Sequence, residues 1–544
     1  MSGNASTDHH EALHFSFLFT ALADQSGFGC ADARLPLCGP LLAIVVSVLI
    51  ETVYCEGSQY TLASTGMRRY EQVVSYIRRR IEAGTLKPGE RLPSVRALSE
   101  STAFSMVTVH HGYALLESEG IIEARPRAGF FVAATAPQAR NFVDTPSSRP
   151  GLSDAPILID SLNFKVMSAW HSRDVEAFGA VYPSGDIFPR RRINQTLRQV
   201  LLRDPERASE TDAPEGDPLL REIIAKRMAQ RGVIVRQSDV LVTGGGLQGL
   251  DICVGALTRP GDTVLVETPT FFPILDALRR RHLLALEIYS HPKNGIDPDQ
   301  FAHLLAKNQV AACLLMPVNH YPTGVTYSED TMRRVVQIAS QRQIPIIEND
   351  MFGNLSYANE FTPSLKTFDT DGYVIQFSSF PGLAPSGYGI SWIIGERYHS
   401  ALLEQKFFTN LFGGDGPLQR AAAEFISKGY YERPLRNIRE TLGKRMQQGL
   451  RLVSELFPKD CAISSPSGGF VCWVRGPHSF DAVAASRLAL LDSISLAPGP
   501  MFSPAASFKN FLALNFSFEW TAERIGKLEK IASLIRSPVA ALTA

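Results

Sequence analysis

Hydroxyl and arginine side chains between Met67 and Val132 have the types and spacing that proteins use to hold a phosphate backbone. Ser94 and Ser105 each stand directly before an apolar run with helical period, where a serine hydroxyl caps the helix. A capped helix N-terminus presents free N–H groups and the positive end of its dipole to an anion. Arginines stand near these caps and in a later turn. The predicted chemistry at this end of the chain is therefore contact with nucleic acid.

Three helices and a hairpin must position these side chains. Apolar residues recur at helical spacing over residues 70–81, and a Lys-Pro-Gly turn follows. Two more helices begin after the two serines, and residues 121–132, IIEARPRAGFFV, are typical of two strands joined by a basic tip. This order predicts a winged helix-turn-helix, in which the second helix of the turn enters the DNA major groove.

Three motifs within this segment are LPSVR at 92–96, a Ser-x-x-Thr-Val step at 105–109 and R-P-x-x-G-F-F-V at 125–132. With them the segment resembles the GntR-type winged helix along its whole length. The family commonly has an arginine directly after the second capping serine, whereas this chain has Met106, so one arginine contact is lost. The resemblance implies contact with double-stranded DNA through Arg69, Ser94, Arg96, Ser105, Thr108, His110, Arg125, Arg127 and Gly129, with Arg69 and Ser94 expected on phosphates.

Apolar strand-like runs alternate with helical ones after residues 133–159, a segment whose alanine, proline and serine content is typical of a linker. The runs are VLVTGGG, TVLVETP, ACLLMP, IPIIEND, YVIQFSS and GISWII. They predict an α/β fold with a mainly parallel sheet covered by helices on both faces. Residues 466–518 are expected to form a smaller α+β subdomain with GGFVCWV and FLALNFSF as strands.

Seven short motifs follow one another through this region. They are EGDPLLR at 215–221, TGG at 243–245, ETPTF at 267–271, YPTG at 321–324, IEND at 347–350, SSF at 378–380 and APGPMFS at 497–503. Their order resembles that of fold-type I aminotransferases. With the winged helix, the chain from Met67 resembles the MocR subfamily of GntR-type bacterial regulators. The resemblance implies a pyridoxal phosphate site, in which a lysine holds the cofactor as a Schiff base.

The position at which the family has that lysine holds a glycine in this chain. The family segment Ser-Phe-Ser-Lys-x-Leu-Ala-Pro-Gly, with an arginine after it, is matched by residues 378–392, SSFPGLAPSGYGISW. Gly382 then takes the place of the lysine and Gly389 that of the phosphate-binding arginine. No lysine stands between Lys366 and Lys406, and Lys366 is expected at the other end of the strand YVIQFSS.

Four further positions that the resemblance assigns to cofactor or substrate have lost a charge or a donor. Asn349 stands where an acid pairs with the pyridine nitrogen, and Phe352 where a tyrosine holds the cofactor oxygen. Tyr321 replaces an asparagine, and Ala513 replaces an arginine that clamps a substrate carboxylate. A shift by one residue would offer Asp350, but the three-residue spacing to the aromatic favours Asn349. The pocket residues that the resemblance leaves in place are Gly245, Gly246, Phe271 and Ser379.

The composition of the chain limits how the protein can bind nucleic acid or a metal and indicates its compartment. The chain has 544 residues with 54 basic and 54 acidic side chains, so its overall field does not attract nucleic acid and contact with DNA has to be local. Seven scattered cysteines are expected to be reduced thiols of a cytoplasmic protein. His110 and His111 have no further ligands nearby in the sequence, so no metal site is predicted.

Residues 1–66 are unlike the rest and are not expected to belong to the fold. They include the uncharged run LPLCGPLLAIVVSVLI at 35–50, which is shorter than the roughly 20 residues that span a bilayer. Two interpretations stay open. The segment lies upstream of a true start at Met67, which we favour, or it is a single membrane anchor. No membrane partner is otherwise expected.

These observations predict a homodimeric DNA-binding transcription regulator. The winged helix-turn-helix is expected at 67–132, the linker at 133–159 and the aminotransferase-like domain at 160–540. The large domain is expected to serve dimerisation and the sensing of an unknown small-molecule effector without catalysis, and no cofactor is expected. Three alternatives stay open: pyridoxal phosphate bound without a Schiff base, a residual aminotransferase, and a scaffold whose DNA affinity no small molecule alters.

Overall fold

A computed structural model of the protein describes residues 69–133, 152–153 and 162–537, except positions 83, 103, 119, 126–127, 171, 173, 211, 359–361, 382, 384–388 and 410–414. The described residues belong to one compact unit, Met67–Ala544. The predicted extension, most of the predicted linker, Arg127 and Gly382 lie outside them. Among the residues described, no helix has both the length and the apolar character that crossing a bilayer demands.

The N-terminal part of this unit is a winged helix, as the sequence predicts, and we call it the head. Its elements are α1 (Arg69–Glu82), α2 (Val95–Ser101), α3 (Met106–Ser118), β1 (Ile122–Arg125) and β2 (Gly129–Val132). The two strands pair antiparallel. All three helices contribute fully buried side chains to one core, among them Val73, Leu98 and Tyr113. Because this core joins α2 to α3, the two helices of the turn are held at one angle.

The remainder of the unit is an α/β body. Its helices are α4 (Leu162–Ala169), α5 (Arg190–Arg203), α6 (Pro205–Ser209), α7 (Pro218–Gln230), α8 (Gly246–Leu257), α9 (Phe272–Arg280), α10 (Pro298–Lys307), α11 (Glu329–Gln341), α12 (His399–Thr409), α13 (Gly416–Ser427), α14 (Glu432–Leu456), α15 (Ala482–Leu491) and α16 (Ala522–Arg536). Its strands are β3 (Leu152–Ser153), β4 (Glu176–Ala177), β5 (Val240–Thr243), β6 (Thr263–Thr268), β7 (Leu284–His291), β8 (Gly295–Ile296), β9 (Ala312–Leu315), β10 (Ile346–Asp350), β11 (Val374–Ser379), β12 (Ser391–Ile394), β13 (Ala462–Ile463), β14 (Val471–Arg475), β15 (Ile494–Ser495), β16 (Ala497–Pro498) and β17 (Phe511–Asn515).

The large sheet has the strand order β3-β7-β6-β9-β10-β11-β12-β5, and β8 pairs with β7. The central pairs, from β7 through β6, β9 and β10 to β11, are parallel. Every residue of β5, β10 and β11 is buried, because helices cover both faces of the sheet. The predicted α/β fold with a mainly parallel sheet is therefore confirmed.

One strand departs from the parallel arrangement of the core. Strand β12, which contains the run SWII, lies antiparallel to both β11 and β5. An apolar run shows that a strand is buried but carries no information on its direction, so the sequence could not distinguish the two cases. Because β12 reverses, β5 runs in the same direction as β6, β10 and β11. The C-terminal ends of these four strands consequently lie along one edge of the sheet.

The C-terminal subdomain is a four-stranded antiparallel sheet of order β13-β14-β17-β16. Its two central strands contain the predicted runs around Val471–Arg475 and Phe511–Asn515. Helices α14, α15 and α16 pack on it through a core that includes Leu450, Ala485 and Ile531.

The head and the body touch at the C-terminal end of α3. The Gln447 side chain on α14 donates from Nε2 to the backbone oxygen of Glu117, at 3.2 Å. Gly120, in the left-handed region with φ +69°, lies against the same glutamine side chain. The opposite, N-terminal end of α3 is exposed.

Candidate functional site

The two helices of the helix-turn-helix, α2 and α3, each begin after a serine whose side chain caps the first helical turn. The Ser94 Oγ accepts from the N–H of Ala97 at 3.1 Å, and the Ser105 Oγ accepts from the N–H of Thr108 at 3.1 Å. The Ser105 and Thr108 hydroxyls also lie 2.8 Å apart. The caps leave the remaining N–H groups of each first turn facing solvent, where a phosphate oxygen can accept from them.

Exposed arginines stand near these caps. Arg96, in the first turn of α2, pairs with Glu100 at 2.9 Å, but both side chains are largely in solvent, so the pair contributes little stability and does not hold the guanidinium in place. Arg69 is the first residue of α1 and is exposed. Both cations are therefore free to contact a DNA backbone.

The antiparallel hairpin of β1 and β2, which we call the wing, supplies a third cation. The Arg125 guanidinium lies 4.3 Å from the centre of the Phe131 ring and bonds to Glu123 at 2.6 Å. Gly129 has φ +101°, a conformation that side chains other than glycine rarely adopt, and it allows the chain to turn into β2. Arg127 stands at the tip, outside the described residues, and its contact with DNA stays a prediction.

The exposed face of α3 contains little charge. His110 is exposed, whereas the His111 ring stacks on Tyr70 of α1 with ring centres 4.4 Å apart. Sequence reasoning missed this stacking, because Tyr70 and His111 are far apart in the chain. Both histidine side chains are exposed, and the ring of His111 is in addition held against Tyr70.

A cavity of about 500 Å³ lies at the sheet edge where the strand ends of the body converge. Its wall combines aromatic and aliphatic side chains with a few backbone and polar groups. The described residues that line it are Val181, Tyr182, Pro183, Phe188, Gly245, Gly246, Leu247, Leu250, Phe271, Asn349, Met351, Phe352, Leu355, Phe377, Ser379 and Pro381. No acidic or basic side chain is among them.

Asn349 and Asp350, the two candidates for the ring-nitrogen partner, point to different places. Asn349 lines the cavity, and its Oδ1 accepts from the N–H of Met351 at 3.2 Å. Asp350 is buried elsewhere, in a two-point contact with Arg231 and a 2.9 Å bond from the Ser378 hydroxyl. Adjacent residues of a strand face opposite sides of the sheet. The cavity is thus lined by the amide and not by the carboxylate.

The glycines at this edge are required by backbone geometry. Gly245 has φ +139° directly before α8 begins at Gly246. Gly389 has φ +54°, and a Cβ on it would lie 2.8 Å from the oxygen of Gly244. An arginine at position 389 would therefore need the backbone to move.

Aromatic rings fill the region around Tyr321 and Ala513, two further positions at which the chain differs from the family pattern. Tyr321 is buried and meets Phe271 edge to face, with ring centres 5.5 Å apart. Ala513 lies on β17 opposite Trp473 in a core that also contains Phe502. Trp473 and Phe502 have ring centres 5.3 Å apart. This packing leaves the Ala513 side of the site apolar.

The lysines that flank the segment 378–392 are engaged elsewhere. Lys366 lies before β11 begins, and its Nζ donates to Asp369 at 2.9 Å and to Glu396 at 2.6 Å. The length of β11 places the start of the strand about 17 Å from Ser379 at its other end. Lys406 donates from Nζ to the oxygen of Pro214, and burial lowers its pKa.

Buried ionisable groups lie within the sheet and not on the cavity wall. Burial raises the pKa of Glu267 to about 7, although Tyr327, the Met316 N–H and Ser290 all donate to it. Burial lowers the pKa of His320 to about 3, so its contact with Glu267 is not an ion pair near neutral pH. Burial, followed by the charge of Asp350, raises the pKa of Glu348 to about 7.

The geometry defines a class of protein, a DNA-binding head on an aminotransferase-like body, and comparison with known families agrees. Residues 69–132 match the model of bacterial regulatory proteins of the gntR family, and residues 183–516 match that of aminotransferase class I and II. The chain belongs to the family of helix-turn-helix transcriptional regulators that join these two domains, as the MocR subfamily does.

Relatives with the same architecture extend over most of the chain. The uncharacterized HTH-type transcriptional regulator YdcR of Escherichia coli (strain K12) is 30% identical over 470 residues, which cover 86% of this chain and 99% of YdcR. The HTH-type transcriptional regulator TauR of Rhodobacter capsulatus is 27% identical, with 84% of this chain and 94% of TauR covered.

Solved structures share the fold of the body. The kynurenine aminotransferase of Pyrococcus horikoshii, crystallised in complex with PMP, has a TM-score of 0.63 at 24% identity, over 69% of this chain and 93% of that one. The α-aminoadipate aminotransferase LysN of Thermus thermophilus, crystallised with a phosphopyridoxyl-leucine, has a TM-score of 0.63 at 21% identity, over 69% and 98%. At these identities the likeness establishes the fold alone.

Proposed function

We propose that this protein is a homodimeric, cytoplasmic transcription regulator that binds double-stranded DNA through its head and whose body does not catalyse a reaction. The observation that carries the first part is the pair of exposed, serine-capped helix starts with Arg96 in the first turn of one of them. The proposal assigns the head to residues 67–132, the linker to 133–159 and the body to 160–540. Its DNA contacts are the residues predicted in the sequence, including Arg127.

A binding assay with the purified full-length chain tests the first part. Gel shifts on DNA from upstream of its own gene should show a sequence-selective complex, with competitor DNA of random sequence displacing it poorly. Affinity should fall steeply with salt, because each neutralised phosphate releases counterions. Absence of a selective complex on genomic fragments and on selected random DNA would overturn the proposal.

The second part rests on the side chains of the cavity, which do not fit pyridoxal phosphate. That cofactor carries an anionic phosphate and needs a lysine for its aldehyde and an acid for its ring nitrogen. The described wall has no cation and offers the Asn349 amide in place of a carboxylate. Gly389, next to Gly244, could not become arginine without a shift of the backbone. Phe271 keeps an aromatic ring at the wall. The cavity therefore suits a ligand with less charge than pyridoxal phosphate.

Titration with pyridoxal phosphate tests the second part. The full-length protein should show no saturable visible absorbance of an internal Schiff base. Borohydride reduction and peptide mapping provide the control, because they separate one specifically modified lysine from scattered reaction with exposed ones. A single lysine modified in stoichiometric amount, with saturable absorbance, would refute the non-catalytic body while leaving the DNA-binding proposal intact.

The dimer is supported by the aminotransferase-like body, since the family resemblance implies contact between two large domains. Two heads would then read paired half-sites. Sedimentation of the full-length chain at micromolar concentration should give twice the chain mass. A monomer that still binds paired half-sites selectively would contradict the dimer alone.

A further inference from the structure

We infer that the head reads its operator through the methyl groups of thymines, by means of an apolar stripe at the start of α3. This inference rests on the proposed DNA-binding function and specifies which base the protein selects. The stripe consists of Met106, Val107 and Ala114, with His110 among them.

The stripe is exposed although it is apolar. Met106 is 57% exposed and Val107 80%, while Val109, Tyr113 and Leu116 of the same helix are fully buried in the head core. The helix thus has its own core side, and the stripe is not needed to hold the head together. An exposed valine and methionine at the first two positions of a helix that enters the major groove will meet base edges.

The polar side chains that distinguish bases are absent from this face. Bidentate recognition uses arginine or lysine for guanine, asparagine or glutamine for adenine, and an acid for cytosine. None of these residue types occurs between Met106 and Leu116. The Ser105 and Thr108 hydroxyls are paired with each other in the cap, and His111 is stacked on Tyr70. His110 and His111 are both exposed, and His110 is part of the stripe.

The cations of the head lie on other elements. Arg69 is on α1, Arg96 on α2 and Arg125 on the wing. They can neutralise phosphates and set the position of the head on the duplex, which carries no direct sequence information. The major-groove feature that the exposed apolar side chains of α3 can recognise is the thymine C5 methyl group.

Replacement of thymine by deoxyuridine tests the inference, because it removes only the methyl group. Half-sites are first selected from random DNA with the full-length protein, and each thymine of the selected site is then replaced singly. At one or two thymines per half-site, we expect the affinity to fall about threefold to fivefold, as burial of one methyl group implies. Replacement of thymines outside the footprint should have no effect.

Two variants test whether the residues of the stripe cause this loss of affinity on deoxyuridine. Val107→Ala should weaken binding to the thymine site and should abolish the difference between thymine and deoxyuridine at one position. Met106→Arg should shift the selected base at its position from thymine to guanine. Both residues are exposed, so neither change should unfold the head, and circular dichroism of each variant checks this.

The outcomes separate the inference from the function on which it rests. Selected sites that tolerate every deoxyuridine, together with unchanged selectivity in Val107→Ala, would overturn the thymine reading and leave a DNA-binding regulator. Failure to select any sequence would overturn the DNA-binding proposal itself, and the inference with it.

Discussion

The head and the body of this chain handle charge in opposite ways. In the head the arginines are at the surface, and their acidic partners, Glu100 for Arg96 and Glu123 for Arg125, hold them weakly. In the body several charges are buried in networks within and below the sheet, as in the contact between Arg231 and Asp350, and the cavity wall has none among the residues described. Charge is available for a ligand in the head, whereas the buried charges of the body stabilise its fold.

The difference shows which parts of a site depend on the fold and which depend on individual side chains. The cavity persists because strand ends and the start of α8 form it, and Gly245 and Gly389 keep the tight backbone path there. The family resemblance assigns the reaction to single side chains, and Asn349 and Ala513 at two of these positions leave the backbone path intact. A retained cavity is therefore no measure of a retained reaction.

The largest expected effect tests whether charge in the body is structural. Arg231→Ala leaves the Asp350 carboxylate buried without its partner, and the free energy of unfolding should fall by about 3–5 kcal/mol. Lys226→Ala is the matched control, because the Lys226 and Glu222 side chains are 72% and 49% exposed in their pair, and its loss should cost less than about 1 kcal/mol. Urea unfolding followed by tryptophan fluorescence measures both. If the two variants lost equal free energy of unfolding, buried charge in the body would be no more important for stability than exposed charge.

A second test uses the pH dependence of stability. Glu267 keeps its proton in the folded state up to a pKa of about 7, whereas the unfolded chain releases it near its ordinary pKa of about 4.3. The native state therefore binds more protons between these values, and stability falls as the pH rises through this window. Glu267→Gln removes that contribution. The unfolding free energy of the variant relative to wild type should rise by about 3 kcal/mol from pH 4.5 to pH 7.5.

The control for this pH experiment is Glu523→Gln, which changes a carboxyl that is 76% exposed on α16. Its difference from wild type should stay constant over the same range. His320 makes a contribution of opposite sign, because it stays neutral in the folded state while the unfolded chain takes up a proton below about pH 6.5. The folded protein therefore becomes less stable as the pH falls. This contribution is present in all three proteins and cancels in the differences. A flat difference for Glu267→Gln would contradict the buried, protonated carboxyl.

The third test examines the head. Arg96→Ala combined with Arg125→Ala should weaken DNA binding about equally for all sequences. Because a dimer loses two arginines from each of its two heads, the slope of log affinity against log salt should fall by about 4. Arg280→Ala removes a body arginine that is 72% exposed and is the control. Gel shifts at several salt concentrations measure the slopes. An equal change with Arg280→Ala would show that the body shares the DNA contact.

The smallest expected effect concerns the contact between the two regions. Gln447→Ala removes the bond to the Glu117 oxygen, and amide exchange in residues 117–121 should become a few times faster, since one hydrogen bond of this kind contributes about 1 kcal/mol. The exposed neighbour Gln448 supplies the control, Gln448→Ala. Exchange measured by mass spectrometry compares them. Unchanged exchange in Gln447→Ala would mean that the head does not depend on the body at this point.

The sequence predicted the head well, because its signals are local. The serines at 94 and 105 cap the helices that the apolar spacing indicates, and the hairpin follows where the basic turn stands. The predicted strands of the body also form. The choice of Asn349 over Asp350 depended on a three-residue spacing, and the structure places Asn349 on the cavity wall.

Features that join distant residues could not be predicted. Arg231 and Asp350 are 119 positions apart, and nothing in either neighbourhood indicates the other. The antiparallel direction of β12 is invisible in an apolar run. The stacking of His111 on Tyr70 depends on the angle between two helices, which a single helical pattern does not contain. The roles of Gly382 and Arg127 still rest on the sequence.

Helix α14 is one uninterrupted rod of 25 residues, about 37 Å long. On it, the Arg439 Nε donates to the oxygen of Asn354 at 2.7 Å, next to the cavity-lining Leu355, and Gln447 stands about two turns further on. A continuous helix is stiff along its axis, so a sliding or tilting of this rod shifts both attachments together. A residue next to the cavity wall and the C-terminal end of α3 are therefore both attached to this one helix.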